Sequence, residues 1–289
     1  MNDYVLVSDS TADLDPKVVG ELGVRIIPFT YSINDEVFGY YLDERDGDIS
    51  DFYGRLKKGA MPVTSQVNPI TYKEYFEQIV KEGKDVLYIC FSSGLSGSYH
   101  TCLLGIDMLK DKYPDANVIA IDSLCASVGE GLLLYKAAKK KQEGLGINEL
   151  ESWIRDKCSH IRHWFMVEDL FHLKRGGRIS TVEAMVGSAL KIKPILSVDE
   201  EGKLFVKSKT RGTSKALEYL VSKLVEEGGD LKKQQVVLGH ADAPEKVNRL
   251  KEMVIDVGVL PENIIIAPIG PVIGTHVGAG MTALVFEQS

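Results

Sequence analysis

The chain has 289 residues, of which 44% are hydrophobic and 26% charged, and its formal net charge is −7. These values are typical of a soluble globular protein with one large or two smaller domains. The acidic balance argues against a nucleic-acid partner, because neutralising phosphates requires clustered Lys and Arg. We expect no secretory leader and no integral membrane segment, since no stretch approaches the ~20 apolar residues of a membrane span.

Strand-like and helix-like segments alternate through the first half of the chain. Short apolar runs predict strands at 4–7, 24–29, 86–91 and 117–122. Helical periodicity or helix-start signals fall at 15–22, 69–82, 98–112, 128–142 and 148–160. Such alternation indicates a parallel sheet covered by helices on both faces.

The second half predicts a different kind of sheet. Strand-like runs at 189–199 and 203–209 flank a tight turn, which is the pattern of an antiparallel hairpin. The remaining elements are helices at 212–227 and 244–257 and strands at 235–240, 264–270 and 281–287. We therefore predict an α/β fold with two domains, residues 1–160 with a parallel sheet and residues 161–289 with a mixed sheet.

The cysteines indicate a cytoplasmic protein. Cys90, Cys102, Cys125 and Cys158 fall in or beside apolar segments and form no CxxC pair. We interpret them as reduced thiols that are mostly buried.

A serine-rich segment, residues 92–98 (SSGLSGS), separates a predicted strand from a predicted helix. Hydroxyls, free backbone N–H groups and the helix dipole together bind anions, and glycine lets the backbone approach a ligand closely. The alternative is that one serine caps the helix while the glycines make the turn. Because a cap needs a single hydroxyl, the length of the run favours an anion site.

Residues 64–66 (TSQ) form a second polar cluster, and the simpler interpretation is that they lead into a helix capped by Asn68. Residues 270–280 form a third, in which four glycines surround His276. A glycine-dense loop can turn its amides toward a ligand, and an imidazole adds a donor. The alternative for this third segment is a flexible turn between two strands.

Other candidate residues carry weaker signals. Asp9 follows a strand, as in aspartyl-phosphate enzymes, but the second aspartate of that pattern is absent, and no phosphate loop or GxSxG motif occurs. Cys158, His160 and His163 fit no closed zinc pattern, so we interpret them as a surface helix end and expect no metal and no cofactor. The basic stretch 174–178 is either an exposed turn or a contact to a partner or phosphate.

Several of these segments together resemble the DegV family of bacterial proteins. They are VSDSTADL (7–14), PVTSQ (62–66), SSGLSGSY (92–99), HLKRGGRIS (172–180), LKIKPILSV (190–198), KTRG (209–212) and GPVIGTHVGAG (270–280). They occur in the expected order over nearly the whole chain. Two positions depart from the family pattern, Val67 after TSQ and Ala279 after GTHVG, where proline is frequent; neither removes a donor.

The resemblance implies a Rossmann-like N-terminal domain, a C-terminal α/β domain and a long-chain fatty acid buried between them. It also implies a carrier that presents the acid to a separate fatty-acid kinase, which makes an acyl phosphate on the way to phospholipid. The residues that the resemblance assigns to the carboxylate are Thr64, Ser65, Ser93 and Ser96, and it assigns His276 and Arg211 to the head group or its phosphorylation. Arg178, in the basic stretch, is a further candidate for contact with the head group or the partner.

An enzyme is the competing interpretation. A hydrolase or phosphotransferase acting on a small anion could use Asp9, Ser93 and His276 in the same crevice. The sequence disfavours this reading, because no complete set of nucleophile, base and orienting group can be assigned.

Overall fold

A computed structural model describes residues 3–180 and 191–289 of the protein. The α-helices are α1 (Pro16–Leu22), α2 (Ile49–Lys57), α3 (Pro69–Lys81), α4 (Ser98–Lys110), α5 (Val128–Gln142), α6 (Ile147–Lys157), α7 (Phe171–Arg175), α8 (Thr213–Glu227), α9 (Pro244–Asp256) and α10 (Pro271–Val277). The strands are β1 (Tyr4–Asp9), β2 (Arg25–Ile27), β3 (Phe29–Ile33), β4 (Glu36–Tyr40), β5 (Val63–Ser65), β6 (Asp85–Cys90), β7 (Val118–Asp122), β8 (Ile161–Met166), β9 (Ile192–Val198), β10 (Leu204–Arg211), β11 (Val236–His240), β12 (Ile264–Pro268) and β13 (Thr282–Glu287). In the described ranges, no helix is long and apolar enough to cross a membrane.

The first sheet has four parallel strands in the order β2-β1-β6-β7. Every residue of β1 is buried, as expected for a strand covered on both faces. The carboxyl ends of β1, β6 and β7 lead into the polar segments that begin at Ser10, Ser92 and Ser123. The predicted parallel α/β arrangement is confirmed.

The second sheet has six strands in the order β10-β9-β8-β13-β11-β12, and it is mixed because only β11 and β12 pair in parallel. The predicted hairpin is present as the antiparallel pair β9 and β10. The first two residues of that predicted strand, 189 and 190, lie outside the described residues. Helices α8 and α9 cover one face of this sheet through a core that includes Leu217, Leu220 and Leu250.

Helix α5 packs against the other face of the mixed sheet and also against the first sheet. Leu132, Leu133 and Leu134 are consecutive and all completely buried, so the first half of the helix is enclosed, whereas its last turn reaches solvent. One apolar core therefore runs from the parallel sheet to the mixed sheet. A division into two domains near residue 160 remains a prediction.

A small antiparallel sheet, in the order β4-β3-β5, was not predicted from the sequence. The apolar run 24–29 contains two strands rather than one, since Pro28 lacks an N–H and separates β2 from β3. The glycine-dense segment also differs from the prediction. Residues 271–277 form helix α10, with Pro271 at its first position, where a missing N–H costs nothing.

Candidate ligand-binding site

A cavity of about 330 Å³ lies between the parallel sheet, the small sheet and the mixed sheet. Its volume is at the lower end of the ~300–1,000 Å³ typical of small-molecule sites. Most of its wall is apolar, contributed by Phe29, Phe91, Leu95, Ala126, Val128, Trp164, Phe165, Leu173, Val198, Leu204, Val272, Ile273, Val277, Met281, Ala283 and Val285. The remaining wall is formed by Thr11, Thr64, Ser65, Gln66, Ser96, Gly97, Ser127, His163, Arg178 and His276.

Thr64 and His276 meet in the cavity wall, although 212 positions separate them in the chain. Thr64 comes from the edge strand β5 and His276 from α10, and the Thr64 Oγ1 to His276 Nε2 distance is 2.9 Å. Ser65 and Gln66 continue from Thr64 and are solvent-exposed, so this part of the wall is the mouth of the cavity. The structure therefore brings together the residues 64–66 and His276 that the sequence singled out.

His276 is a neutral imidazole. Burial, reinforced by the cations of Arg178 and Arg175 and by His172, lowers the pKa of His276 to about 3. Among residues 3–180 and 191–289, its Nδ1 has no hydrogen-bond partner, and it packs against Gly176, where a Cβ would collide with it. With the proton on Nε2, the ring donates to Thr64 Oγ1, and the Thr64 hydroxyl is then free to donate to a ligand.

The serine-rich segment is mainly a docking surface between the two halves of the chain. Ser92 is fully buried and donates to the carbonyl of Gly202 at 2.8 Å, in the turn between β9 and β10. Gly94 packs against the same turn, where a Cβ would lie 2.5 Å from the carbonyl oxygen of Glu201. Of the loop serines proposed to bind an anion, Ser96 lines the cavity, whereas Ser93 is exposed and outside it.

Lys174 and Arg175 are exposed, as an exposed turn requires, but Arg178 lies in the cavity wall and is only partly exposed, so that interpretation does not extend to it. Its Nε donates to the carbonyl of Leu95 at 3.1 Å, which ties the segment after α7 to the serine-rich loop. Arg211 is different: it is exposed at the end of the edge strand β10 and does not line the cavity.

His163 was missed as a cavity residue. The prediction of a surface helix end is wrong for it, because it lies in β8 and is 5% exposed. The backbone N–H of Ala126 donates to its Nε2 at 3.3 Å, and burial lowers the pKa of His163 to about 4. Its position in the run HWFMV, where polar and apolar residues do not alternate, gave no sign of an inward orientation.

Asp9 and Glu130 form a buried acidic pair behind Thr11. Both side chains are fully buried, and Thr11 Oγ1 contacts Asp9 Oδ1 and lies 3.1 Å from Glu130 Oε2. Ser8 Oγ likewise lies 3.0 Å from the Ile89 carbonyl and 3.1 Å from Glu130 Oε1. The hydroxyls of Thr11 and Ser8 have two protons for four acceptor oxygens, one on Asp9, one on Ile89 and two on Glu130. A proton on Glu130 supplies a third donor.

Burial, together with the Asp9 charge, raises the pKa of Glu130 well above its usual range, in agreement with this proton count. We therefore expect Glu130→Gln to leave the free energy of unfolding at pH 7.5 within about 1 kcal/mol of the natural protein. Asp9→Asn is the contrasting variant. Asp9 accepts from Tyr88 Oη, the Phe91 N–H and the Thr11 N–H, so an amide there should cost about 3 kcal/mol.

Urea unfolding as a function of pH also tests whether Glu130 is protonated in the folded protein. Because the folded state retains the Glu130 proton above pH 4.5 and the unfolded state loses it, this group makes stability fall as pH rises. The Glu130→Gln variant should show a shallower fall. A steeper fall, or a large loss of stability in Glu130→Gln, would mean that Glu130 is ionised.

In the described ranges, no group of three or more His, Cys, Asp or Glu side chains could hold a metal ion. The three residues proposed for an enzyme do not converge either. Asp9 is fully buried and hydrogen-bonded, and Ser93 is exposed to solvent outside the cavity. Of the three residues, only His276 lines the cavity.

Comparison with known proteins decides the family. A sequence profile described as "Uncharacterised protein, DegV family" matches residues 4–289. The chain belongs to the DegV family. A DegV domain-containing protein of Clostridium perfringens is 38% identical over 288 residues, which cover 99% of this chain and 98% of the relative.

Solved DegV structures share the fold over the full length of the chain. A DegV-family protein from Thermus thermophilus, described by its fatty-acid binding, has a TM-score of 0.89 at 26% identity, with 100% of both chains covered. DegV of Bacillus subtilis, described as a fatty acid binding protein, has a TM-score of 0.84 at 27% identity, again covering 100% of both chains.

Proposed function

We propose that this DegV-family protein binds a long-chain fatty acid in the cavity and acts as a cytoplasmic carrier rather than an enzyme. The observation that carries the proposal is a largely apolar cavity with a polar mouth, where the neutral Thr64–His276 pair lies near the cation of Arg178. Solved relatives described as fatty-acid-binding proteins support the same ligand class.

The carboxylate is placed at the mouth, against Thr64, Ser65, Ser96 and His276, with Arg178 nearby. Burying ~14 methylenes contributes on the order of 11 kcal/mol, at ~0.8 each, before the costs of association. Each hydrogen bond from a hydroxyl to the carboxylate adds about 1.5–3 kcal/mol. The tail therefore supplies most of the affinity, and the polar mouth sets the direction in which the acid lies.

The proposal includes presentation of the carboxylate to a separate fatty-acid kinase. The exposed side chains of Ser65 and Gln66 support this part of the proposal, because they line the cavity where a partner enzyme can reach them. Arg211 and Ser93 lie outside the cavity, so a role for either would be in contact with that partner rather than with the acid. Among the proposed ligand contacts, His276 is the one expected to affect phosphorylation more than binding.

Native mass spectrometry of the protein purified from bacterial cells tests the ligand. We expect a mass excess of one long-chain acid, which organic extraction should release as a free acid. A ligand-free mass, together with turnover of acyl or phosphate esters by the purified protein, would favour the enzyme instead.

A further inference from the structure

We propose that Asp13 is a positioning residue for the ligand cavity, because its carboxylate joins two parts of the cavity wall that are distant in the chain. The inference rests on the proposed function of the cavity. Asp13 itself does not line the cavity and is 1% exposed.

Three donors from three separate segments converge on the Asp13 carboxylate. Oδ1 accepts from Tyr40 Oη at 2.9 Å and from the backbone N–H of Gly270 at 3.0 Å. Oδ2 accepts from Ser127 Oγ at 2.6 Å. No lysine or arginine among residues 3–180 and 191–289 forms an ion pair with Asp13, so these hydrogen bonds are what stabilise its charge.

The Gly270 bond fixes the start of α10, the helix that carries His276. Gly270 is the residue directly before α10, and it packs against the ring of Tyr40, where a Cβ would collide. Tyr53 Oη donates to the neighbouring Ile269 carbonyl at 2.9 Å. Because α10 has only seven residues, a shift at Gly270 moves His276 relative to Thr64.

The Ser127 bond holds a strained part of the opposite wall. Ser127 has φ 54° and ψ −137°, a backbone conformation that is costly for a residue with a Cβ. Its side chain lines the cavity, as does that of Val128 at the start of α5. A strained residue persists when its surroundings determine its conformation, and the bond to Asp13 is a contact that does so.

The donors favour the ionised form of Asp13, whereas burial, with a smaller effect of the Asp9 charge, raises the pKa of Asp13 to about 7. The titratable groups that face it are Asp9 on β1, Glu130 on α5, Tyr40 on β4 and Tyr53 on α2. An asparagine at position 13 keeps an oxygen that accepts from Tyr40 Oη and the Gly270 N–H, and its amide N–H can donate to Ser127 Oγ. The variants should therefore test the shape of the residue 13 side chain more than its charge.

The experiment measures binding of tritiated palmitate to delipidated protein together with the NMR signal of the His276 ring. We expect Asp13→Ala to weaken palmitate binding at least tenfold and to shift the His276 signal, and Asp13→Asn to restore both to within threefold of the natural affinity. The matched control is Asp15→Ala, which removes an exposed aspartate that caps α1, outside the cavity. It should change neither readout.

If Asp13→Ala does not fold, Asp13→Glu carries the test, because it keeps the carboxylate and moves it by one methylene. Natural palmitate affinity and an unshifted His276 signal in a folded Asp13→Ala or Asp13→Glu protein would overturn the proposal. The two proposals fail separately. If the natural protein binds no palmitate, the proposed function fails, whereas the His276 signal still reports whether Asp13 positions α10.

Discussion

A protein with Thr64 replaced by valine and Ser96 by alanine is expected to bind palmitate at least a hundredfold more weakly than the natural protein. Both residues line the mouth of the cavity, and each hydrogen bond from a hydroxyl to a carboxylate is worth about 1.5–3 kcal/mol. Since ~1.4 kcal/mol corresponds to a factor of ten, losing both gives about two to four orders of magnitude. Valine has nearly the shape of threonine, so the cavity wall is retained. Equilibrium dialysis of delipidated protein with tritiated palmitate measures the change.

Two controls separate loss of the head-group contacts from damage to the cavity. Ser93→Ala removes a hydroxyl from the same loop but outside the cavity, and it should bind palmitate normally. Hexadecanol has the same tail and no carboxylate, so it should lose much less affinity for the double variant than palmitate does. Equal palmitate affinity in the natural protein and the double variant would place the carboxylate elsewhere.

Replacing Ala283 by phenylalanine is expected to abolish tight binding of palmitate while the protein stays folded. Ala283 lies in β13, is 2% exposed and lines the cavity beside Phe165, its partner in β8. A phenyl ring there occupies space that the acyl chain would otherwise fill. Each methylene that loses its place costs about 0.8 kcal/mol, so four displaced methylenes reduce the affinity more than a hundredfold.

The thermal unfolding midpoint of Ala283→Phe should equal or exceed that of the natural protein, since the ring fills a void instead of creating one. Ala283→Gly is the matched control, because it enlarges the same place and should retain palmitate. Equilibrium dialysis with palmitate and thermal unfolding of the natural protein, Ala283→Phe and Ala283→Gly measure the affinity and the stability of each. A folded Ala283→Phe protein with natural affinity would show that the tail does not lie along β13.

The regular elements of the fold were predictable because their patterns are local. Strands β1, β6 and β7 are continuous apolar runs, and α3 combines helical periodicity with the Asn68 cap and Pro69 at its first position. The small sheet was not predictable in the same way. Strand β4 passes from two exposed residues through two partly exposed ones to the buried Tyr40, so it lacks the alternation that marks a half-buried strand.

Glycines gave the most misleading signal. Gly270 and Gly274 suggested a flexible loop, yet each lies where a Cβ would collide with a tyrosine, Tyr40 or Tyr53. The absence of a side chain at both positions serves tertiary packing around α10, and at Gly274, inside the helix, this packing outweighs the low helix propensity of glycine. No local pattern contains that information, because the two tyrosines lie more than 200 positions earlier in the chain.

The candidate site was predictable as a set of segments but not residue by residue. The sequence singled out residues 64–66, the serine-rich segment and His276, and the structure places all three at one cavity. It could not tell that Ser96 faces inward and Ser93 outward, because both follow the same strand in the same polar run. It also missed His163, whose burial depends on a sheet formed by strands from across the second half.

The contacts of the β9–β10 turn with Ser92 and Gly94 matter for any attempt to make a shorter fatty-acid-binding protein from this chain. A fragment ending at residue 160 would keep Thr64 and Ser96 but would lack the turn that packs against the serine-rich loop of Ser96. Such a fragment would contain the hydroxyls proposed to bind the carboxylate, but it would lack the contacts that fix the position of the loop. A shortened protein must therefore include the β9–β10 hairpin or a designed replacement for it.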